Sequence, residues 1–276
     1  QGGAERANHV YQKGPWVLYM IEHALGSDVF WQGVRHYLKE HAWDLVETED
    51  FTRAIFDSTG RNIEGLIEQW VECAGHPVFE VRFAEKRAED GGRKLVLHVE
   101  QAQELAALVP HFDLPVNVDL CYADGSRERQ VVRVRAADSE FELPLTGELA
   151  DLLFDSSATI LCEIRLQKDR HMWVHQASLT EEPALQWRAI DALRTAVLQR
   201  GDELAASSLY DLLERSPHPL LRVRAARSCD FQSAIPRLLH ALEIDSWPGV
   251  RHAAVQSLAK LQLDYPATER LRARIG

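Results

Sequence analysis

Hydrophobic positions divide the chain into three regions with different periods. Between residues 15 and 74 they recur at helical spacing, from residue 78 they alternate with a period of two, and after about residue 167 helical spacing returns. The pattern predicts a multidomain α+β protein. We expect helices in 1–77, an antiparallel β-sandwich in 78–166 and a helical repeat domain in 167–276.

The first region contains four predicted helices. The first begins at Gly14-Pro15, where proline suits the opening helical turn. Residues 16–21 of this helix are hydrophobic on every side, which predicts a helix buried inside a larger body. The N-caps predicted for the other three helices are Ser27, Thr48 and Asn62, and their ends are predicted at His41, Gly60 and Gly75-His76-Pro77.

The second region contains six or seven short predicted strands. An Ala123-Asp124-Gly125-Ser126 turn predicts a hairpin between two of them. The segment 101–108 is compatible with a long loop or a short helix. The alternating residues are Phe79, Val81 and Phe83; Leu95, Leu97 and Val99; Val116, Val118, Leu120 and Tyr122; residues 130–135; Phe141, Leu143 and Leu145; and Ile160, Cys162 and Ile164.

The third region repeats a nine-residue pattern three times, at 185–193, 221–229 and 250–258. The fifth residue is always alanine, the eighth is alanine or serine, and the ninth is leucine or cysteine. The offsets of the copies are typical of helical-hairpin repeats, and small residues at fixed places allow helices to approach closely. The pattern resembles the repeated helix of HEAT repeats, and a plain helical bundle is the alternative.

Length, charge and cysteine content limit the classes of function that the chain can have. The chain has 276 residues and a formal net charge of −11, and its acidity lies in the first two thirds, which argues against nucleic-acid binding. No apolar run reaches the length of a membrane span, and no signal peptide is visible. The chain lacks a Met start, which suggests a piece of something longer. The scattered cysteines (Cys73, Cys121, Cys162 and Cys229) favour reduced, buried thiols in a reducing, cytoplasmic compartment.

The candidate polar residues have structural explanations. His171 and His175 are four apart and suit one helix face, but no carboxylate or thiolate motif accompanies them, which disfavours zinc. His41, five residues after His36, is expected to pack rather than to bind a metal. Glu181-Glu182 suits a helix start. The repeat arginines (Arg188, Arg222, Arg224 and Arg251) are expected to be solvated or to pair between repeats, and a groove for an anionic group is the alternative.

A set of short motifs resembles the aminopeptidase N family of zinc metallopeptidases. The match begins with Tyr11-Gln12-Lys13-Gly14 and ends with Gly75-His76-Pro77. Between them lie Val17-Leu18-Tyr19-Met20, Leu25-Gly26, Phe30-Trp31-Gln32-Gly33, Tyr37-Leu38-x-x-His41, Thr48-x-Asp50-Phe51, Gly60-Arg61-Asn62 and Gln69-Trp70-Val71. The later β and helical regions follow the order of the larger family members. The resemblance implies that 1–77 forms the C-terminal helices of a thermolysin-like catalytic domain.

The resemblance assigns one catalytic residue. By position, Tyr11 matches the family tyrosine whose phenol donates a hydrogen bond to the oxyanion formed when zinc-bound water attacks the peptide carbonyl. The family's zinc ligands and general base precede this tyrosine in an H-E-x-x-H motif and a later glutamate. This chain contains no H-E-x-x-H, so we expect it to hold no metal and to be inactive alone.

The sequence therefore predicts the C-terminal part of a zinc-dependent aminopeptidase, which removes N-terminal residues from peptides. The implied partners are a peptide substrate and an upstream catalytic domain, with no nucleic acid and no membrane. The implied cofactor is zinc, held by the full-length parent. The alternative is a non-catalytic scaffold or protein-interaction module that keeps the family architecture.

Overall fold

The computed structural model describes residues 13–87, 91–105, 110–263 and 265–275. The chain divides into two compact units. The first comprises residues up to 119, 129–146 and 157–167, and the second comprises 120–128, 147–156 and residues from 168 onward. This division passes through two strands. The three-domain division at residues 77 and 166 stays a prediction.

The first unit begins with four helices, as the periodicity predicts. Their ends differ slightly from the predicted caps. The third helix is preceded by Glu47 rather than capped by Thr48, and the Glu47 N–H donates to Asp50 Oδ2 at 2.9 Å. The bounds are α1 Gly14–Leu25, α2 Ser27–Glu40, α3 Thr48–Thr59 and α4 Glu64–Ile67, which continues as a π-helical turn, Glu68–Glu72.

Helices α2 and α3 pack closely because α2 carries a glycine at their contact. A Cβ on Gly33 would lie 2.2 Å from Ile55 Cδ1 and 3.3 Å from Ile55 Cα. Ile55 itself is fully buried. The Phe-Trp-Gln-Gly motif therefore provides the space that the two helices need.

Seven strands form two sheets. The first has the order β5-β2-β1-β7 and the second has the order β4-β3-β6. The bounds are β1 Val78–Arg87, β2 Arg93–Gln101, β3 Leu114–Tyr122, β4 Arg127–Val134, β5 Asp138–Leu145, β6 Leu149–Phe154 and β7 Glu163–Leu166. A mixed α+β architecture with two small sheets is confirmed.

Two details of the predicted sandwich need correction. Strand β7 pairs in parallel with β1, with Val78 opposite Glu163, so the first sheet is not purely antiparallel. Strand β6 was not predicted because five of its six residues are buried, which removes the alternation that marks a half-exposed strand. The hairpin at Asp124-Gly125 is confirmed, with Gly125 at φ 85° and its N–H donating to the Tyr122 carbonyl at 3.0 Å.

The structure describes part of the segment 101–108, which is compatible by sequence with a long loop or a short helix. Gln101 is the last residue of β2, and residues 102–105 are not helical. Residues 106–109 lie outside the described part of the chain.

The second unit contains the later helices. Their bounds are α5 Arg170–Ser178, α6 Pro183–Arg200, α7 Glu203–Arg215, α8 Pro219–Ser228, α9 Ile235–Ile244, α10 Pro248–Leu258 and α11 Tyr265–Ile275, with a 3₁₀ turn at Gln232–Ala234. The three sequence copies fall on α6, α8 and α10. Their fifth residues, Ala189, Ala225 and Ala254, are all fully buried. The alanines therefore occupy equivalent core positions, and the HEAT-like assignment stays a prediction.

The four cysteines, all within described residues, form no disulfide, and they differ in burial. Cys121 and Cys229 are buried, whereas Cys73 and Cys162 are partly exposed. The prediction of buried thiols therefore holds for two of them. Burial, with smaller contributions from Asp230 and Glu214, raises the pKa of Cys229 to about 12.

This pKa predicts strong protection of Cys229 from alkylation. Only roughly 10⁻⁴ of a thiol with so high a pKa is thiolate at pH 8, and the thiolate is the reactive form. Mass spectrometry after a short iodoacetamide pulse at pH 8 should show modification of Cys73 and Cys162 long before Cys229. Equal labelling of all four in the folded protein would contradict the prediction, and equal labelling in urea is the control.

Candidate functional site

The proposed catalytic residue, Tyr11, lies outside the described residues. The described part of its motif begins two positions later, at Lys13 and Gly14. The contacts of the motif are therefore described from Lys13 and Gly14, which lead into α1.

Lys13 connects the two ends of the family-like region. Its Nζ donates to the carbonyl oxygens of Cys73 and Gly75, at 3.3 and 3.4 Å. Burial lowers the pKa of Lys13, and the nearby Cys73 opposes this shift. These carbonyls follow the π-helical turn, where the Cys73 N–H donates to the Glu68 carbonyl at 3.0 Å. Lys13 of the Tyr-x-Lys-Gly motif therefore contacts Gly75 of the Gly-His-Pro motif, 62 residues further along the chain.

Helix α1 is buried on one face only. Val17, Met20 and Ile21 are buried, which agrees with the prediction. Trp16 and Tyr19, which stack edge-to-face with ring centroids 6.1 Å apart, are 39% and 45% exposed. No described residue covers that second face, and burial of the whole helix inside a larger body stays a prediction.

Further large apolar side chains of the first unit are exposed. Trp43 and Leu45, in the segment between α2 and α3, are exposed to 105% and 95%. Trp43 also has a positive φ of 70°, which is unusual for a bulky residue. Other exposed side chains are Leu18, Trp31, Leu38, Val46, Phe56 and Val71. Such a concentration of exposed apolar surface is typical of a region that contacts another protein surface.

The Gln-Trp-Val motif has a structural role. Trp70 is 1% exposed, and its ring lies 4.9 Å from the ring of Phe112, centroid to centroid. The neighbouring Gln69 side chain accepts a hydrogen bond from the Asp113 N–H at 2.8 Å. These contacts attach the π-helical turn to the segment before β3.

Within the described residues, no group of three or more His, Cys, Asp or Glu side chains is arranged to hold a metal ion. His36 lies 3.2 Å from Glu40 in an i,i+4 ion pair, and the His41 ring packs 5.4 Å from the Tyr37 ring. His41 therefore packs, as expected.

The arginines of the repeats contact carboxylates or backbone carbonyls. For example, Arg222 makes two hydrogen bonds to the Asp245 carboxylate, at 2.8 and 3.0 Å. The other contacts are Arg188 with Asp155, Arg224 with Asp191, and Arg251 with the carbonyl of Asp245. Because these guanidinium groups already have anionic or carbonyl partners, the structure favours pairing over an anion-binding groove. Glu182 likewise pairs with Arg127.

A buried charged cluster in the second unit was missed by the sequence patterns. Asp151 on β6 lies 2.7 Å from Lys168 Nζ and 2.9 Å from His175 Nδ1. The side chains of Asp151 and Lys168 are completely buried, and Lys168 also donates to Gln176 Oε1 at 2.6 Å. The one available signal was an aspartate inside the apolar run Leu149–Phe154.

In the part of the chain that the structure describes, no helix is both long and apolar enough to span a membrane.

Comparison with known proteins connects these features to peptidases. The model of the Peptidase family M1 domain matches residues 7–70. Tricorn protease-interacting factor F2 of Thermoplasma volcanium is 37% identical over 83 residues, which are 30% of this chain and 10% of that protein. Aminopeptidase M1-A of Oryza sativa subsp. japonica is 25% identical over 217 residues, which are 74% of this chain and 20% of that protein.

The fold matches over a longer range. A crystal structure of Legionella pneumophila aminopeptidase A in complex with aspartic acid superposes with a TM-score of 0.67 and 12% identity. The superposition covers 96% of this chain and 36% of that one. The matches therefore cover well under two thirds of the length of these proteins.

The rice relative and the Legionella structure that match this chain are both aminopeptidases. At residues 7–70, the chain is therefore similar to the M1 peptidase domain, and the longer matches are to aminopeptidases. M1 aminopeptidases are zinc enzymes, whereas the described residues of this chain contain no group of three or more His, Cys, Asp or Glu side chains that could hold a metal ion.

Proposed function

We propose that this chain acts as the C-terminal part of a zinc-dependent M1 aminopeptidase that removes N-terminal residues from peptides. The observation that carries the proposal is the match of residues 7–70 to the M1 domain. This segment includes Tyr11, which we assign as the donor to the oxyanion. The contacts of Lys13 with Cys73 and Gly75 support the assignment, because they attach the tyrosine-bearing segment to the rest of the helical region.

The chemical role of Tyr11 follows from the charge that develops in peptide hydrolysis. A phenol with an ordinary pKa of about 10 remains protonated at neutral pH and can donate to an oxyanion. Zinc supplies the activated water in such enzymes. The sequence contains no H-E-x-x-H, so the ligands and general base are assigned to a region of the parent outside this chain.

The proposed intramolecular partner is the upstream part of the catalytic domain. The exposed face of α1 supports this proposal, because Trp16, Leu18 and Tyr19 are hydrophobic yet uncovered by the described residues. Burying such side chains stabilises an interface by roughly 25 cal/mol per Å² of apolar surface. The proposal also includes a HEAT-like helical domain in 167–276 and a cytoplasmic location.

The proposal predicts that residues 1–276 alone have no aminopeptidase activity. The test is hydrolysis of aminoacyl-anilides with added zinc, and we expect no turnover above the buffer rate. A polypeptide extended upstream through an H-E-x-x-H motif should hydrolyse the same substrates. Turnover by 1–276 that disappears in Tyr11→Phe would overturn the proposed inactivity.

A second candidate function is a non-catalytic interaction module. The exposed Trp43 and Leu45 favour it, since they offer apolar surface in a segment outside the helices. The coding sequence upstream of Gln1 distinguishes the two proposed functions. An intact H-E-x-x-H there supports the peptidase, and a degraded motif or a start codon near residue 1 supports the interaction module.

A further inference from the structure

Helix α5 carries two histidines at the spacing that suits metal chelation. His171 and His175 are four residues apart, so they lie on one face of the helix with Cβ atoms separated by about 5–6 Å. We propose that these two imidazoles form a binding site for a divalent transition-metal ion. The site is independent of the catalytic zinc of the proposed aminopeptidase, whose ligands are assigned outside this chain.

The structure determines which nitrogen of His175 is available. Nδ1 lies 2.9 Å from Asp151 Oδ2. An ionised carboxylate only accepts hydrogen bonds, so in the neutral imidazole the proton resides on Nδ1. The lone pair is then on Nε2, at the other side of the ring. This tautomer is the one that a metal ion requires at Nε2.

The carboxylate that orients His175 is itself fixed. Asp151 Oδ1 accepts from Lys168 Nζ at 2.7 Å and from the Leu152 N–H at 2.8 Å, which leaves Oδ2 for the histidine. A histidine held by a carboxylate through its second nitrogen is the usual arrangement of metal-binding histidines in proteins. The sequence shows no carboxylate ligand motif around these histidines, and the fold supplies a carboxylate to His175 from β6.

The two histidines are accessible to an ion from solvent. The His175 side chain is 38% exposed although Asp151 is completely buried. His171 is exposed and lines an open polar groove of about 780 Å³, together with the acidic residues Asp169, Asp202 and Glu203 and the basic residues Arg170 and Arg200. His175 lies outside the lining of this groove, so an ion held by both imidazoles would bind at its edge.

The donor set selects the metal. Imidazole nitrogens suit zinc, copper and nickel, whereas magnesium and calcium require oxygen ligands. Two protein ligands leave the remaining coordination positions to water, so binding is expected to be reversible and weaker than in a structural zinc site. Because a metal ion binds only unprotonated ring nitrogens, affinity should be lower at acidic pH.

The test is calorimetric titration of residues 1–276 with zinc chloride, repeated with nickel chloride, at pH 7.5 and pH 5.5. The matched variants are His171→Gln and His252→Gln, since His252 is likewise an exposed helical histidine of the second unit but has no histidine four residues away. We expect His171→Gln to remove one binding site and His252→Gln to retain it. In His171→Gln, the metal affinity should fall by more than the roughly 10–100-fold loss that is typical when a residue hydrogen-bonded to a metal ligand is removed.

A second measurement tests the site without any variant. Long-range ¹H–¹⁵N spectra should show His175 protonated at Nδ1 before zinc is added, and resonances of His171 and His175 should shift together on titration. Equal stoichiometry and affinity for the two glutamine variants would overturn the proposal. So would a His175 resonance that does not respond to zinc at pH 7.5.

Discussion

Replacing Asp151 with asparagine is expected to lower the free energy of unfolding of the second unit by about 3–5 kcal/mol, because removing one partner of a buried ion pair leaves an uncompensated charge. Lys168 is completely buried and would lose its anionic partner. Burial already lowers the pKa of Lys168, and attraction to Asp151 is the main opposing influence. Urea denaturation, followed by circular dichroism, gives the measurement.

The double variant Asp151→Leu with Lys168→Met distinguishes charge burial from lost packing. Because both charges are then absent, it should be more stable than Asp151→Asn. The control is Arg215→Met, which removes an exposed i,i+4 pair with Asp211 on α7 and should cost no more than about 0.5 kcal/mol. An Asp151→Asn variant as stable as the control would show that the buried pair contributes little.

Replacing Tyr11 with phenylalanine in the active, zinc-loaded parent is expected to lower kcat by about 10²–10³-fold, the typical effect of removing one oxyanion donor. The substitution removes only the hydroxyl, so KM should change much less than kcat. Steady-state hydrolysis of an aminoacyl-anilide gives both constants. The prediction rests on the proposed function and on the assignment of Tyr11 by sequence.

The matched control is Tyr210→Phe in the second unit. It removes a hydroxyl that donates to Ser233 at 3.2 Å, and we expect kcat to remain close to that of the unmodified parent. If Tyr11→Phe retained full kcat, Tyr11 would be a structural tyrosine and the oxyanion assignment would be wrong. Thermal unfolding of both variants separates a catalytic loss from an unfolded protein.

Much of the secondary structure was predictable because it depends on local chemistry. The change of period near residue 78, the hairpin at Asp124-Gly125 and the helix end at Gly60 all follow from neighbours in sequence. Strand β6 was not predictable because burial removes its local signal: it is almost completely buried and lacks alternation. In α1, residues 16–21 are uniformly apolar, and the periodicity does not show that one face is uncovered by the described residues.

The candidate sites likewise combine features that the sequence shows with contacts that only folding creates. The Tyr-x-Lys-Gly motif could be read directly from the sequence, and so could the spacing of His171 and His175. Neither the contact of Lys13 with Cys73 nor that of Asp151 with His175 could be predicted, since each joins residues many positions apart. Such contacts depend on how whole elements pack, which hydrophobic periodicity does not specify.

The resemblance to aminopeptidases, the helical and β regions, and the repeated alanines of α6, α8 and α10 can all be recognised in the sequence. These depend on motifs and on periods of 3.6 or two residues, which are properties of adjacent positions. Only the tertiary structure decided that β7 runs parallel to β1, that Lys13 joins the two ends of the family-like region, and that a buried aspartate orients His175. The physical reason is that burial and hydrogen-bond partners are set by residues that folding brings together from distant positions in the chain.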